Sequence, residues 1–297
     1  MSYLGIDIGG TNTKAVLLDA DGAVLDSSEV PTRPDGSLAS IVIAIEAAAH
    51  GMLGDVEGAC LALPGIVDDE SGQAVFVPNL GWFEPVDVAA AVENLLGCRP
   101  ALANDAVCAA VGEARHGAGR GLSSFLMLTL GTAVGAAMVV DGRPLDAYGR
   151  FGGELGHIPL VHGGLPCSCG IDGCFQQYGS ATALLRIAAG AGLEVGVASD
   201  VFALSEAGDE RAAAVADEFC GYVAEGAAGL TNIFRPEAVI LAGGAARAGE
   251  TLRALVEEKL HAHTYASAIL GAPRVLLAEE PAGAGALGAA AIAAWAD

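Results

Sequence analysis

A glycine turn interrupts an apolar segment near the start of the chain, Leu4-Gly5-Ile6-Asp7-Ile8-Gly9-Gly10-Thr11-Asn12-Thr13-Lys14. The first residues favour a short strand, and a second strand, Ala15-Val16-Leu17-Leu18-Asp19, continues beyond the turn. Two strands joined through Gly-Gly predict a hairpin whose turn can take positive φ. Backbone N–H groups at such a turn can approach an anionic ligand, and Thr11 and Thr13 add hydroxyl donors. Asp7 is placed to hold Mg²⁺ directly or through water, although the turn by itself also fits an ordinary hairpin with a polar tip.

The same pattern occurs a second time along the chain. An apolar strand at Ser124–Leu130 leads into the turn Gly131-Thr132-Ala133-Val134-Gly135, and a returning strand follows at Ala136–Val140. Asp141-Gly142 then forms a further turn, as Asp21-Gly22 does in the first copy. Two similar halves, each with a glycine hairpin, predict two α/β domains facing each other across a cleft. Phosphates would lie between the opposed hairpins.

A third pair of glycines, Gly243-Gly244, follows the buried strand Ala238–Leu241 and precedes a helix that opens near Gly249. A backbone that passes from a strand through glycines into a helix is typical of phosphate or nucleotide sites. The pattern elsewhere predicts further elements at approximate positions. The predicted helices are 37–51, 87–96, 105–116, 180–189, 209–234 and 284–295, and the predicted further strands are 23–30, 56–63, 99–103 and 274–278.

The charge balance limits the partners that the chain can bind. Thirty-six acidic residues against 14 basic ones give a formal charge of −22, which repels nucleic acid and anionic membranes. An anionic substrate would therefore be held locally by backbone amides, Mg²⁺ or a few cations. The uncharged segment Gly121–Val140 fits strand–turn–strand better than a membrane span. Met1-Ser2-Tyr3 has no basic region typical of a signal peptide, so we expect a cytoplasmic protein that contacts neither nucleic acid nor membrane.

Four potential metal ligands cluster in one glycine-rich loop: His157, Cys167, Cys169 and Cys174. Three thiolates and one imidazole suit tetrahedral Zn²⁺, and four protein ligands would close the coordination shell of a structural site. Free buried thiols or a redox pair are the alternatives. A reducing cytosol disfavours disulfides, and the loop has little apolar content with which to fold by itself. The remaining cysteines lie in apolar or helical contexts and are expected in the core: Cys60, Cys98, Cys108 and Cys220.

Several polar residues follow strands or border the cysteine loop. Asn104-Asp105 ends a short strand, where a carboxylate can accept the proton of a substrate hydroxyl that attacks a phosphoryl group. The alternative role for this pair is the N-cap of the helix that follows. Glu154, beside the cysteine loop, and Asn79, near Trp82, can hydrogen-bond sugar hydroxyls, although a single glutamate is more often a solvated side chain.

Together these motifs resemble the ROK family of repressors, open reading frames and sugar kinases. The resemblance rests on the order and spacing of five motifs: 7–14, Leu63-Pro64-Gly65, Asn104-Asp105, Glu154-Leu155-Gly156-His157, and the cysteine loop Cys167-x-Cys169-Gly170-x-x-Gly173-Cys174. It implies an α/β fold of the actin-like, ribonuclease H-type, duplicated two-domain class with a cleft between the domains. We expect a smaller domain at 1–108 joined by a C-terminal helix at 282–297, and a larger domain at 109–281 with a zinc loop at 157–174.

The resemblance also implies roles for individual residues. Asp105 would be the catalytic base of an ATP-dependent hexose kinase. The residues implied for sugar binding are Asn79, Asn104, Asp105, Glu154, His157 and Gln176. Those implied around the nucleotide phosphates are Gly9, Gly10, Thr11, Lys14, Thr132, Gly243 and Gly244, with Asp7 towards Mg²⁺. His157 would bind zinc through one ring nitrogen and sugar through the other.

Two positions depart from the pattern of the family. Ala133 stands where the second phosphate turn usually has glycine, and it costs about 1 kcal/mol or more if that position requires positive φ. Gln176 stands where a glutamate usually contacts the sugar near its C1 and C2 hydroxyls. Gln176 keeps the reach of that side chain but loses its charge.

The sequence therefore predicts a kinase that uses ATP, Mg²⁺ and structural Zn²⁺ to phosphorylate glucose, as a homodimer or homotetramer. N-acetylmannosamine, N-acetylglucosamine, fructose and mannose are alternative substrates, and polyphosphate is an alternative donor. A non-catalytic sugar-binding regulator is the hypothesis from another class of protein. A DNA-binding repressor is disfavoured, because the sequence starts at the phosphate hairpin and is acidic.

Overall fold

The computed structural model describes residues 1–54, 56–145, 154–279 and 283–295. We number its strands and helices in chain order. The strands are β1 (Ser2–Ile8), β2 (Asn12–Asp19), β3 (Val24–Pro31), β4 (Val56–Leu63), β5 (Ile66–Asp68), β6 (Gln73–Phe76), β7 (Val86–Asp87), β8 (Ala101–Asn104), β9 (Phe125–Leu130), β10 (Val134–Val140), β11 (Arg143–Pro144), β12 (Ala238–Ala242) and β13 (Arg274–Leu277). The helices are α1 (Leu38–Ala48), α2 (Val88–Leu96), α3 (Asp105–His116), α4 (Gln176–Gly179), α5 (Ala181–Gly190), α6 (Ala198–Glu206), α7 (Glu210–Phe234), α8 (Glu250–His263), α9 (Ser267–Leu270) and α10 (Ala284–Ala293).

The described residues divide into two compact units. The first unit contains 1–120, 143–145 and 283–295, and the second contains 121–142 and 154–279. The whole of α3 belongs to the first unit, so this unit extends beyond the boundary at 108 that we expected from the sequence. The reason is that α3 packs along α10. The expected C-terminal helix is observed as α10, whereas residues 282, 296 and 297 lie outside the described part of the chain.

The first unit is built on a five-stranded sheet in the order β3-β2-β1-β4-β8. The pairs β1–β2 and β2–β3 are antiparallel, whereas β1–β4 and β4–β8 are parallel. Side chains of β1 alternate between the two faces, because successive residues of a strand point in opposite directions. Leu4, Ile6 and Ile8 pack in a core cluster with α1 and α2, and Tyr3 packs on the other face with α10. A side chain at Gly5 would overlap the α10 backbone, so glycine allows this helix to lie directly on the sheet.

The second unit repeats the arrangement of the first sheet. Its four long strands follow the order β10-β9-β12-β13, with β10–β9 antiparallel and β9–β12 and β12–β13 parallel. This matches β2-β1-β4-β8 in order and direction, which confirms the duplicated pattern predicted from the glycine turns. The helices α5 to α8 pack in one apolar cluster with this sheet, and α7 contacts α4, α5, α6 and α8.

The structure also contains elements that the sequence did not predict. A small sheet, β5-β6-β7, follows the predicted strand 56–63 and reaches the start of the helix predicted at 87–96, and α6 and α9 were likewise not predicted. Asp209, in contrast, caps α7 as the start of the long predicted helix. Within the ranges that the structure describes, no helix is long and apolar enough to cross a membrane.

Candidate active site and metal centre

The glycine turn between β1 and β2 has the predicted hairpin form. Gly9 N–H donates to the Asn12 carbonyl oxygen at 3.0 Å and closes the turn. Neither Gly9 nor Gly10 has positive φ, so this turn does not use the left-handed conformation that glycine permits. Positive φ occurs instead at the Asp-Gly turns, at Gly22, Asp141 and Gly142. Gly10 and Thr11 lie exposed at the tip, where their backbone is accessible to a ligand.

Thr13 does not contribute a hydroxyl to this exposed tip. Its side chain is fully buried, and its Oγ1 lies 2.9 Å from Oγ1 of Thr32. The Thr32 hydroxyl donates to the Gly9 carbonyl oxygen at 2.7 Å, and its N–H donates to the Thr11 carbonyl oxygen at 2.8 Å. The expectation that Thr13 is a donor for a ligand was therefore wrong. Instead, Thr13 contacts Thr32, and Thr32 stabilises the turn through its bonds to the Gly9 and Thr11 carbonyl oxygens.

Asp7 lies at the end of β1 and faces the start of α10. A side chain at Gly285, in the first turn of α10, would overlap Oδ2 of Asp7 and lie 2.8 Å from its Cγ. Lys14 is the partner of Asp7 in the β1–β2 register. Burial raises the pKa of Asp7 to about 6, against the opposing attraction of Lys14. A carboxylate held in this way at the end of a strand can serve as a ligand of Mg²⁺, as the sequence predicted.

Both residues of the pair Asn104-Asp105 accept from backbone N–H groups at the start of α3. Asn104 is the N-cap of α3, because its Oδ1 accepts from the N–H groups of Ala106 at 2.9 Å and Val107 at 3.3 Å. Its Nδ2 donates to the Gly65 carbonyl oxygen at 3.0 Å, which fixes the amide from both ends. Asp105 is the first residue of the helix, where the helix dipole favours a negative charge. Asn104 is therefore the N-cap, and the partly exposed Asp105 carboxylate beside it also accepts from the Ala106 N–H, with 2.8 Å between Oδ1 and N.

Asn79, the other expected sugar ligand of the first unit, lies on a short 3₁₀ turn, Pro78–Leu80. The residue is exposed, whereas Leu80 and Trp82 are buried beneath it. A Cβ at Gly10 would lie 3.7 Å from the Asn79 carbonyl oxygen, so this turn and the glycine hairpin are neighbours.

In the second unit, two glycine turns meet at one end of the sheet. Gly243 has a φ of 86°, and a Cβ there would lie 2.7–2.8 Å from backbone atoms of Leu130, the last residue of β9. The turn that begins at Gly131 is closed by Gly131 N–H donating to the Ala133 carbonyl oxygen at 3.0 Å. Ala133 does not have positive φ, so the penalty considered for alanine at this position does not apply. Thr132 and Gly244 are exposed at this end of the sheet.

The four predicted metal ligands lie together in the second unit. The ligand atoms of His157, Cys167, Cys169 and Cys174 all lie within 4.8 Å of one another. Nδ1 of His157 is 3.5 Å from Sγ of Cys167, and Sγ of Cys169 is 3.5 Å from Sγ of Cys174. Tetrahedral Zn²⁺ with Zn–S bonds of about 2.3 Å would separate two sulfurs by about 3.8 Å. The donor set and its spacing therefore fit a tetrahedral thiolate–imidazole site.

Hydrogen bonds lower the pKa of the Cys167 thiol. Burial opposes its ionisation, but a backbone bond from Cys169 and bonds to the side chains of Gln177, Cys169 and Gln176 outweigh burial and lower the pKa to about 6. Burial and hydrogen bonds to Cys169 and Cys167 raise the pKa of Cys174 to about 12. Nε2 of Gln176 donates to Sγ of Cys167 at 3.1 Å.

Glu154 and His157 are joined by a short 3₁₀ turn, in which His157 N–H donates to the Glu154 carbonyl oxygen at 2.9 Å. A side chain at Gly156 would overlap the Val134 carbonyl oxygen, so glycine lets this turn lie against the start of β10. Glu154 keeps contact with solvent, and the protein atoms around it raise its pKa while the nearby His157 lowers it. Because Nδ1 of His157 faces the cysteines, Nε2 is the nitrogen that remains for another ligand.

Sequence reasoning missed three residues that support these sites. Thr32 braces the glycine hairpin, Gly285 makes room for Asp7, and the side chain of Gln177 bonds to Cys167. Gln177 follows Gln176 directly and so had a local signal. Thr32 and Gly285 are distant in sequence from their partners, and no local pattern marks them.

Comparisons with known proteins agree with this architecture. A glucokinase from Halalkalibacterium halodurans is 34% identical over 288 residues, which cover 89% of this chain and 86% of the relative. A crystal structure of a ROK family glucokinase from Streptomyces griseus, in complex with glucose and AMPPNP, has a TM-score of 0.84 and 31% identity and covers 99% of both chains. A ROK hexokinase from Thermus thermophilus has a TM-score of 0.82 and 33% identity, and covers 100% of this chain and 99% of its own. The family profile described as the ROK family matches residues 3–295. The actin-like two-domain fold is therefore confirmed, and the chain belongs to the ROK family.

Proposed function

We propose that this protein is an ATP-dependent hexose kinase that transfers the γ-phosphoryl group of ATP to glucose and forms glucose 6-phosphate. One observation carries the proposal beyond family membership. Asp105 begins α3 with a partly exposed carboxylate, and its Oδ1 accepts from the Ala106 N–H at 2.8 Å, so the helix start holds this carboxylate in place beside the N-cap Asn104. The named relatives support the same reaction, since two are glucokinases and one is a hexokinase.

In this reaction, Asp105 accepts the proton of the sugar hydroxyl as that oxygen attacks the γ-phosphorus. The lone pair of the oxygen forms the new P–O bond, and the bond between the γ-phosphorus and the bridging oxygen breaks, so that ADP leaves with the electron pair. The exposed turns at Gly10-Thr11, Thr132 and Gly243-Gly244 bind phosphate oxygens through backbone and hydroxyl donors. Asp7 would hold Mg²⁺, which supplies positive charge to the phosphates. Lys14, paired with Asp7 in the hairpin, adds a cation nearby.

For the sugar, we propose that the side chains of Asn79, Asn104, Glu154, His157 and Gln176 bind hydroxyl groups. Zinc held by the three cysteines and Nδ1 of His157 would fix the orientation of the imidazole ring. Nε2 of His157 then remains for a hydroxyl. Metal analysis of the purified protein should find one zinc per chain, and a protein that folds and phosphorylates glucose without any bound metal would refute this part of the proposal.

The decisive experiment is a coupled ADP assay with ATP and Mg²⁺ over a panel of sugars. Glucose should give the highest kcat/KM, above N-acetylmannosamine, N-acetylglucosamine, fructose and mannose. Asp105→Asn should keep glucose binding by calorimetry and lose nearly all turnover, by a factor of about 10³ or more. Turnover within tenfold of the wild type would remove Asp105 from the role of base.

Gln176 favours one alternative, because it replaces the glutamate usual at this position. A non-catalytic sugar-binding regulator would bind a hexose and show no sugar-dependent ATP consumption in the same assay. Ala133 also departs from the family pattern, but it does not have positive φ, so backbone strain at this position does not favour the alternative. We also propose a cytoplasmic location and a homodimer or homotetramer, and light scattering of the purified protein tests the oligomeric state.

A further inference from the structure

Packing holds Gln176 in place two residues after Cys174, the last of the proposed metal ligands. It is the first residue of α4, and Phe175 before it is fully buried. Phe175 N–H donates to the Ile158 carbonyl oxygen at 2.8 Å. Side chains at Gly179 or Gly226 would overlap or crowd the Phe175 ring, so these glycines form its pocket. The start of α4 is therefore fixed by packing, and it places the Gln176 amide against Cys167 at 3.1 Å.

The chemistry of a metal-bound cysteine decides which atom of the amide faces it. A thiolate has no proton to donate, so it can only accept, and the amide N–H is the group that fits. Three thiolates and a neutral imidazole around Zn²⁺ carry one net negative charge. An N–H donor disperses part of that charge, whereas the oxygen of a carboxylate at the same distance would repel it.

We propose that Gln176 is a positioning residue of the metal centre, which donates its side-chain N–H to the Cys167 thiolate and strengthens metal binding. This inference rests on the proposed zinc site. It gives a physical reason for glutamine at a position where the family usually has glutamate. A glutamate in the observed rotamer would put a second negative group beside a ligand sulfur, so glutamine at 176 is matched to the contact with Cys167.

The test compares three variants by metal affinity and by the spectrum of the Co²⁺-substituted protein. Gln176→Met removes the donor at similar side-chain length, Gln176→Glu replaces it with a charge, and Gln73→Met makes the same chemical change in the first unit as a control. Competition with a chromophoric chelator should show zinc binding weaker by about 10–100-fold in both Gln176 variants and unchanged in the control. The thiolate-to-Co²⁺ charge-transfer band of Gln176→Met should move to lower energy, because the sulfur loses a hydrogen bond.

The outcomes separate this inference from the zinc site itself. The wild type could bind one zinc tightly while Gln176→Met shows the same zinc affinity and the same charge-transfer band. That result would overturn the role of Gln176 and leave the zinc site intact. A wild type that binds neither zinc nor Co²⁺ would overturn both. If Gln176→Glu does not fold, as judged by circular dichroism, Gln176→Met still decides between the outcomes, since it adds no charge.

Discussion

Replacing Asp7 by asparagine should stabilise the protein while it removes the proposed ligand for Mg²⁺. Burial raises the pKa of Asp7 from 3.8 to about 6, a difference of about two units. Each unit corresponds to about 1.4 kcal/mol, so keeping Asp7 ionised in the folded protein costs about 3 kcal/mol. Asparagine has nearly the same shape and no charge. We therefore expect Asp7→Asn to raise the free energy of unfolding by about 3 kcal/mol at pH 8.

The sign of the effect fixes its pH dependence. The folded state binds the Asp7 proton more tightly than the unfolded state, so the wild type loses stability as pH rises from about 4 through 6. The advantage of Asp7→Asn should accordingly fall to about half at pH 5 and vanish below pH 4. Urea unfolding of both proteins at pH 8 and pH 5 measures this difference. Added Mg²⁺ and ATP should stabilise the wild type more than the variant, because only the carboxylate binds the cation well.

A substitution at Lys14 tests the same electrostatic argument from the other side of the charge pair. Its attraction lowers the pKa of Asp7, so Lys14→Met should raise that pKa further and enlarge the gain from Asp7→Asn. An equal gain at pH 8 and pH 5 would mean that the effect does not come from ionisation. No gain at pH 8 would mean that Asp7 is solvated in the folded protein, and the argument from burial would fail.

Alanine should be harmful at Gly285 and Gly243, where neighbouring atoms leave no room for a methyl group, and harmless at Gly221, which has open space around it. Gly285→Ala should lower kcat at least tenfold, because the methyl group overlaps the Asp7 carboxylate. Alanine by itself favours a helix by about 1 kcal/mol over glycine. Gly221→Ala in α7, where the space is open, should therefore gain that stability without loss of kcat. Gly243→Ala should lower the unfolding free energy by about 1–3 kcal/mol, because its positive φ and its contact with Leu130 both exclude a side chain. Steady-state kinetics and urea unfolding of these variants check both expectations, and Gly285→Ala with wild-type kcat would contradict the position assigned to Asp7.

Local patterns were sufficient to predict the duplicated sheets and the long helices. In each half of the chain a glycine turn separates two apolar strands, and an Asp-Gly turn follows the second strand. The antiparallel pair β9–β10 therefore repeats the antiparallel pair β1–β2. The start of α7 was also predictable, because Asp209 is a typical N-cap. The clustering of the four proposed metal ligands was predictable for the same reason, since their spacing within one short loop is itself the signal.

Contacts between distant residues explain what the sequence did not predict. The buried Thr13 hydroxyl is paired with that of Thr32, which follows β3 and lies 19 residues away in the chain. The contact between Asp7 and Gly285 joins opposite ends of the chain, so no window of sequence contains it. The sequence could not determine the conformation at Gly9 and Gly10, because glycine permits many conformations and tertiary bonds select one of them. The strands β5 to β7 have two to four residues each, which is too short for a periodic pattern.

The start of α3 shows why asparagine precedes the proposed base. An aspartate at 104 could cap the helix as well, since its oxygen also accepts from the Ala106 and Val107 N–H groups. It could not donate to the Gly65 carbonyl oxygen, however, and it would add a second carboxylate directly beside Asp105. Two adjacent carboxylates disfavour each other's ionisation, and a base must be ionised to accept a proton. The neutral amide of Asn104 therefore confines the negative charge at this helix start to Asp105, where the reaction needs it.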